Sequence, residues 1–202
     1  MKKIALISTG GTIEKTYDEM RGVMHNETRV LDVMLAQLQL EGVEMTRVPL
    51  MNKDSLEMDE ADHTLIARTV GAMAEAHDGV IVVHGTDRLA ETGEKIVEVL
   101  GTGDRLAGTT GRIGPRVPVV LTGAMRPYQL RSTDALQNLT EALCAVQTCQ
   151  AGVYVAMHNR VLRFPGVVKD RRLGTFIPAG ELESDPQDAW RTTTNRFFPP
   201  GA

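Results

Sequence analysis

An excess of basic charge is the first thing this sequence lacks: 22 Lys and Arg stand against 26 Asp and Glu, a net charge of −4 over 202 residues. No cationic stripe is available for a nucleic-acid backbone, and no polybasic anchor for a membrane surface. Long apolar runs are missing too. Met1-Lys2-Lys3 followed by Ile4 to Ile7 falls short of a signal peptide, and nothing approaches a membrane-spanning length, so a cytoplasmic protein is expected. Cysteine is rare: Cys144 and Cys149 lie in or just beyond one expected helix, at a separation that does not let them bridge while it stays helical. Reduced thiols are expected.

Familiar signatures are absent as well. Thr9-Gly10-Gly11-Thr12 lacks the third glycine of G-x-G-x-x-G, neither G-x-x-x-x-G-K-[ST] nor G-x-S-x-G occurs, and Gly101-Thr102-Gly103 follows a helix instead of a strand. His25, His63, His77, His84 and His158 show no paired metal-ligand spacing, and His84 reads as structural. The expectation is no metal and no cofactor.

What the sequence does have is two hydroxyl-bearing turns behind two apolar runs. Thr9-Gly10-Gly11-Thr12 follows Ile4-Ala5-Leu6-Ile7, and His84-Gly85-Thr86-Asp87 follows Val80-Ile81-Val82-Val83. Both runs read as buried strands, so each places a threonine at a strand's carboxyl end, where open parallel sheets bind ligands and glycine lets backbone approach closely.

Strand-like and helix-like periods alternate in the order βαβαβαβαβ, without repeats or low-complexity tracts. The expected fold is α/β: an open, mostly parallel sheet with helices on both faces. Residues 14–28 have no clear period and read as a mobile flap carrying Tyr17. A helix is expected over Val30 to Leu40, strands over Val43 to Leu50 and Val80 to Val83, and a helix from Leu89 to the stop at Gly101. Residues 101–116 read as a connection to the strand Val117 to Leu121. A helix capped by Ser132 or Thr133, with Leu136, Leu139, Leu143 and Val146 on its face, then precedes the strand Gly152 to Met157. Residues 158–177 read as a short extended hairpin. One domain is expected over 1–177; residues 178–202, with four prolines, read as a tail whose Trp190, Phe197 and Phe198 are candidate contacts with a second copy.

Five blocks then carry a family resemblance: Thr9-Gly10-Gly11-Thr12-Ile13; Asn52 to Met58; His84-Gly85-Thr86-Asp87; Gly123-Ala124-Met125-Arg126-Pro127 with Ser132 to Leu139; and Val168-Lys169. In this order, the chain resembles the bacterial-type L-asparaginases over nearly all of residues 1–177. That family usually has a smaller C-terminal domain, so the resemblance is to a short, single-domain form.

The resemblance implies an amidohydrolase that cleaves L-asparagine to L-aspartate and ammonia. Thr12 would be the nucleophile, Tyr17 the flap tyrosine closing over it, and Thr86, Lys169 and Asp87 the proton-handling trio. Gly11, Asp54, Ser55, Thr86, Asp87 and Ala124 would bind substrate: Ser55 the α-carboxylate, Asp87 the α-ammonium, and Ala124 with neighbouring N–H groups the oxyanion. Plainer readings stand beside these. Thr12 reads equally as a turn cap, Asp87 as a carboxylate at a helix N-terminus, and Lys169 as a solvated charge. Two residues depart from the pattern: Arg88 follows the His84–Asp87 block where a threonine is common, and Leu56 replaces a glutamine. A glutaminase or broader amidase is the neighbouring activity, because one methylene is worth only about 1–3 kcal/mol in a pocket. A non-catalytic amino-acid-binding or sensor module is the alternative from another class. The expected partners are a small-molecule substrate and a second copy of the chain in a two-fold dimer, with no nucleic acid or membrane.

Overall fold

A computed structural model describes residues 1–26, 30–101, 104–105 and 112–182. Numbered in chain order, its strands are β1 (Lys2–Ser8), β2 (Lys15–Asp18), β3 (Val23–Asn26), β4 (Val43–Pro49), β5 (Gly79–Val83), β6 (Asp104–Arg105), β7 (Arg112–Ile113), β8 (Pro118–Thr122), β9 (Gly152–Met157), β10 (Arg160–Arg163), β11 (Val167–Asp170) and β12 (Thr175–Pro178). The helices are α1 (Val30–Ala36), α2 (Glu60–Ala76), α3 (Leu89–Leu100) and α4 (Ala135–Thr148).

The apolar runs of the sequence become the middle of one sheet, ordered β4-β1-β5-β8-β9-β10. Every pairing from β4 to β9 is parallel, and β10 folds back antiparallel on β9. Side chains alternate across it with period two. Ala5, Ile7, Val80, Val82, Val119 and Leu121 face α2 and α3, whereas Ile4, Leu6, Ile81, Val83 and Val120 face α1 and α4; none is exposed. Helices thus cover both faces, and each fully buried Ile, Leu or Val contributes about 1.5–3 kcal/mol.

The strand order positions the site. The chain leaves β1 to one side to form β4 and returns on the other side to form β5. Connections therefore diverge between the carboxyl ends of β1 and β5, the edge where sheets of this kind bind ligands. The two threonine turns follow these two strands.

Several expectations are corrected. Residues 15–26 form the β2–β3 ribbon, where a periodless flap was expected. Its tip is made locally: Asp18 accepts from the Met20 and Arg21 N–H groups, and Gly22 takes a left-handed φ of 67° and donates to the Asp18 carbonyl. Four residues a side are too few for alternation to stand out. Helix α1 ends at Ala36, short of Leu40, because Gln37 and Leu38 bond back only three residues, to Met34 and Leu35. Residues 158–177 divide, with β10 joining the main sheet and β11 pairing with β12. The N-cap of α4 is Asp134, not Ser132 or Thr133; Thr133 sits one residue earlier and accepts the Ala135 N–H in a local turn bond. Cys144 and Cys149 are free thiols. Trp190, Phe197 and Phe198, the expected dimer contacts, lie outside the described residues.

Gly93 shows how closely α3 is seated: a Cβ there would fall 2.2 Å from Cζ of Phe164, a ring that is 1% exposed. Gly93→Ala gains helix propensity of up to about 1 kcal/mol but must overpack a buried ring, at about 1–3 kcal/mol. We expect a net loss of stability in urea unfolding. An unchanged or raised midpoint would contradict this packing.

Candidate active site

Glycine lets the turns at the sheet's carboxyl edge touch. A Cβ on Gly11, whose φ of 90° is left-handed, would lie 2.5 Å from the Cα and N of Gly85; one on Gly85 would lie 2.5 Å from Oγ of Ser55. On the other side, a Cβ on Gly123 would lie 2.3 Å from the His84 carbonyl oxygen and 3.2 Å from Cγ2 of Thr86. Four segments distant in sequence therefore meet closely, three of them backbone to backbone and the fourth through the Ser55 side chain.

Thr9 and Thr12 divide the work of the first turn. Thr9 is buried and donates from Oγ1 to the Val83 carbonyl at 3.0 Å, tying β1's end to β5. Thr12 opens a single 3₁₀ turn, Thr12–Glu14, half-buried, and its hydroxyl makes no hydrogen bond among the described residues. Thr12 therefore does not cap the turn, whose start has no side-chain cap.

The second turn meets a lysine from β11. Lys169 Nζ donates to Thr86 Oγ1 at 2.9 Å and to Asp87 Oδ1 at 3.0 Å. Its ammonium side chain is only 14% exposed, so the contact is sheltered from the screening that weakens surface pairs. Arg171 Nη2 approaches the same Asp87 oxygen at 3.5 Å from the solvent side. Thr86 in turn donates to the Met125 sulfur at 3.5 Å. Arg88, out of place beside a helix N-terminus, donates to the Met58 carbonyl and leans on Glu91.

Of the expected site residues, the structure brings Gly11, Ser55, Thr86, Asp87, Lys169 and the Ala124 turn to one edge. Ser55 is buried, and Ala124 has its methyl in the core beneath α4 while its backbone remains in the turn. Asp54 is engaged elsewhere. It accepts from Lys15 Nζ at 2.7 Å and from the Leu56 N–H, and Lys15, then that N–H, hold its carboxyl below the usual range. Tyr17 lies apart, on β2, 55% exposed with its hydroxyl beside Gly22 at the ribbon tip. Leu56, in the glutamine position, is exposed.

Sequence reasoning missed the buried polar chain beneath the second turn. His84, fully buried, contacts the Gly85 carbonyl through Nδ1 at 2.8 Å and Thr92 Oγ1 through Nε2 at 2.8 Å. His63 Nδ1 reaches the same hydroxyl at 2.7 Å, and the two rings stack with centroids 6.3 Å apart. A carbonyl requires N–H at His84 Nδ1, which leaves Nε2 of the neutral ring as an acceptor facing the Thr92 hydroxyl. Spacing gave no signal, because His63 lies on α2 and Thr92 on α3.

These strand-end turns coincide with a known domain. A family model described as the N-terminal part of asparaginase matches residues 3–172. The chain belongs to the asparaginase family. It is 30% identical over 173 residues to an L-asparaginase of Thermococcus kodakarensis, spanning 85% of this chain and 49% of that protein. It is 34% identical over 160 residues to a glutamyl-tRNA(Gln) amidotransferase component of Halobacterium salinarum, spanning 77% of this chain and 34% of that one. The solved thermostable L-asparaginase from Thermococcus kodakarensis matches with a TM-score of 0.74 at 28% identity, over 87% of this chain and 51% of that one. The chain spans about half, or less, of the length of these family members.

Burial lowers His84 from 6.5 to about 4, with nearby His63 adding to the effect and the Gly85 carbonyl opposing it. Between those values the unfolded chain binds a proton that the folded one refuses, so stability rises with pH through this window and is flat above it. On the order of 3 kcal/mol is lost from this group between pH 7 and pH 4. Urea midpoints should therefore fall from pH 6.5 downward, and less steeply in His84→Gln. Equal slopes in the two proteins would contradict a buried neutral His84.

Proposed function

We propose that this chain hydrolyses the side-chain amide of a small amino acid, L-asparagine in the first instance, through an acyl-enzyme on Thr12. The observation that carries the reading is the lysine of β11 held 2.9 Å from the Thr86 hydroxyl and 3.0 Å from Asp87. A module that only bound an amino acid would have no need of a lysine sequestered against a hydroxyl.

The chemistry needs a proton moved twice. Thr12 Oγ attacks the amide carbon; its proton enters the Thr86–Lys169 pair as the same pair gives one proton to the departing nitrogen, which leaves as ammonia. Water then enters, loses a proton along the same path, and releases aspartate with Thr12 restored. Asp87 orients the amine, and N–H groups of the facing turns with the Ala124 backbone meet the oxyanion. Ser55 takes the α-carboxylate and Asp87 the α-ammonium. No cofactor enters.

The amidotransferase relatives support a second reading, a glutaminase or broader amidase, since their name attaches them to amide transfer and not to free asparagine. One methylene separates the substrates, about 1–3 kcal/mol of discrimination.

Ammonia release from L-asparagine and L-glutamine by the purified chain tests both readings, and the larger kcat/KM names the substrate. Thr12→Ala should abolish turnover with the fold retained, and Lys169→Met should cost roughly 10²–10⁴-fold in kcat. Activity within a few-fold of wild type in either variant would remove that residue from the mechanism.

A further inference from the structure

The turn Gly123–Arg126 is held in place by groups the proposed reaction does not consume. Asp134, at the start of α4, accepts the Met125 N–H on Oδ2 and the Arg126 N–H on Oδ1, both at 2.9 Å. Its Oδ2 also accepts from Asn138 Nδ2 at 2.8 Å and lies 2.8 Å from His158 Nε2. Asn138 is fully buried and closes the loop: Nδ2 donates to the Gly123 carbonyl at 2.9 Å, and Oδ1 accepts the His158 N–H at 3.1 Å. The turn is thus fixed at Gly123, Met125 and Arg126 by a network that ends at one imidazole.

His158 reaches Asp134 from a tight turn. With Asn159 it forms the two-residue connection from β9 to β10, and both are left-handed, at φ 54° and 61°. Left-handed positions favour Gly, Asn, Asp and His, so turn chemistry accommodates both residues but does not dictate where the His158 side chain points. The side chain is 27% exposed and aims inward at Asp134. Burial would raise the Asp134 carboxyl, but hydrogen bonds from His158, Met125 and Arg126 outweigh it and hold the group well below the usual carboxylate range. Asp134 is therefore charged, and a charged acceptor carrying four donors needs each of them to remain well placed.

The same turn touches the reacting edge. Gly123 lies against His84 and Thr86, and the Met125 sulfur accepts the Thr86 hydroxyl. A shift of Met125 therefore displaces the hydroxyl that Lys169 addresses from the other side.

We infer that His158 is a positioning residue: by donating to Asp134 it holds the Gly123–Arg126 turn against Thr86 in the geometry that amide hydrolysis needs. The inference rests on the amidohydrolase reading, so its test has one arm that depends on activity and one that does not. In the first, kcat and KM for ammonia release are compared for wild type, His158→Ala and His158→Gln, the glutamine retaining an N–H donor near the place of Nε2. His158→Ala should lose on the order of 10²-fold in kcat with KM nearly unchanged, as expected when a reacting group is misplaced, and His158→Gln should recover most of it. Wild-type kcat in the alanine variant, or equal losses in both variants, would overturn the positioning role. In the second arm, amide exchange by NMR should quicken at Met125 and Arg126 by at least about tenfold in His158→Ala while β8 amides keep their protection. Unchanged exchange at those two amides overturns the positioning role whether or not ammonia is released. Quickened exchange in a wild-type background that releases no ammonia supports the clamp and overturns the amidohydrolase reading.

Discussion

Everything at the carboxyl edge of the sheet depends on backbone packing directly on backbone. Gly11 and Gly85 lie so close that a Cβ on Gly11 would sit 2.5 Å from Gly85, and Gly85 and Gly123 make comparable approaches to Ser55 and His84. A single methyl group at any of these positions would wedge two turns apart. Because little space is left between these segments, Thr12 and Thr86 follow close behind strand ends and Ser55 sits on a packed 3₁₀ turn, which suits chemistry that tolerates little displacement. The reversal of strand order beside β1 decides where this happens; the glycines decide how tightly.

Lysine reaches this edge by a different route. β11 belongs to a separate ribbon, so Lys169 enters from outside the parallel sheet and joins Thr86 and Asp87 at the head of α3. Asp87 then has two cations, Lys169 within hydrogen-bond reach and Arg171 at 3.5 Å, while Asp54 is matched by Lys15. Both carboxylates are thus already matched by cations.

What the sequence made legible was local. Uninterrupted Val/Ile runs read as two-face-buried strands, α3 kept its expected span of Leu89 to Leu100, and β9 kept its bounds. Threonines after glycine at strand ends pointed to the site because ligand binding at that edge follows from topology. Lys169 was legible only through family resemblance, since nothing within its own segment distinguishes it from a solvated charge and its partners are 83 and 82 residues away. The β2–β3 ribbon was lost because it is short and its faces are mixed. The His63–Thr92–His84 chain and the Asp134–Asn138–His158 network were hidden for a common reason: each joins separate elements through single polar atoms, which leave no period in the sequence.

The proposed amide hydrolysis requires Thr12 to be the covalent nucleophile, served by Thr86 and Lys169. The most direct measurement is mass spectrometry of the peptide containing Thr12 after wild-type protein is mixed with L-asparagine and acid-quenched within the first turnover. An aspartyl ester on Thr12, appearing with the ammonia and decaying as aspartate forms, is the result the account predicts. Ammonia release with the ester on another residue, or with no ester formed, would contradict it.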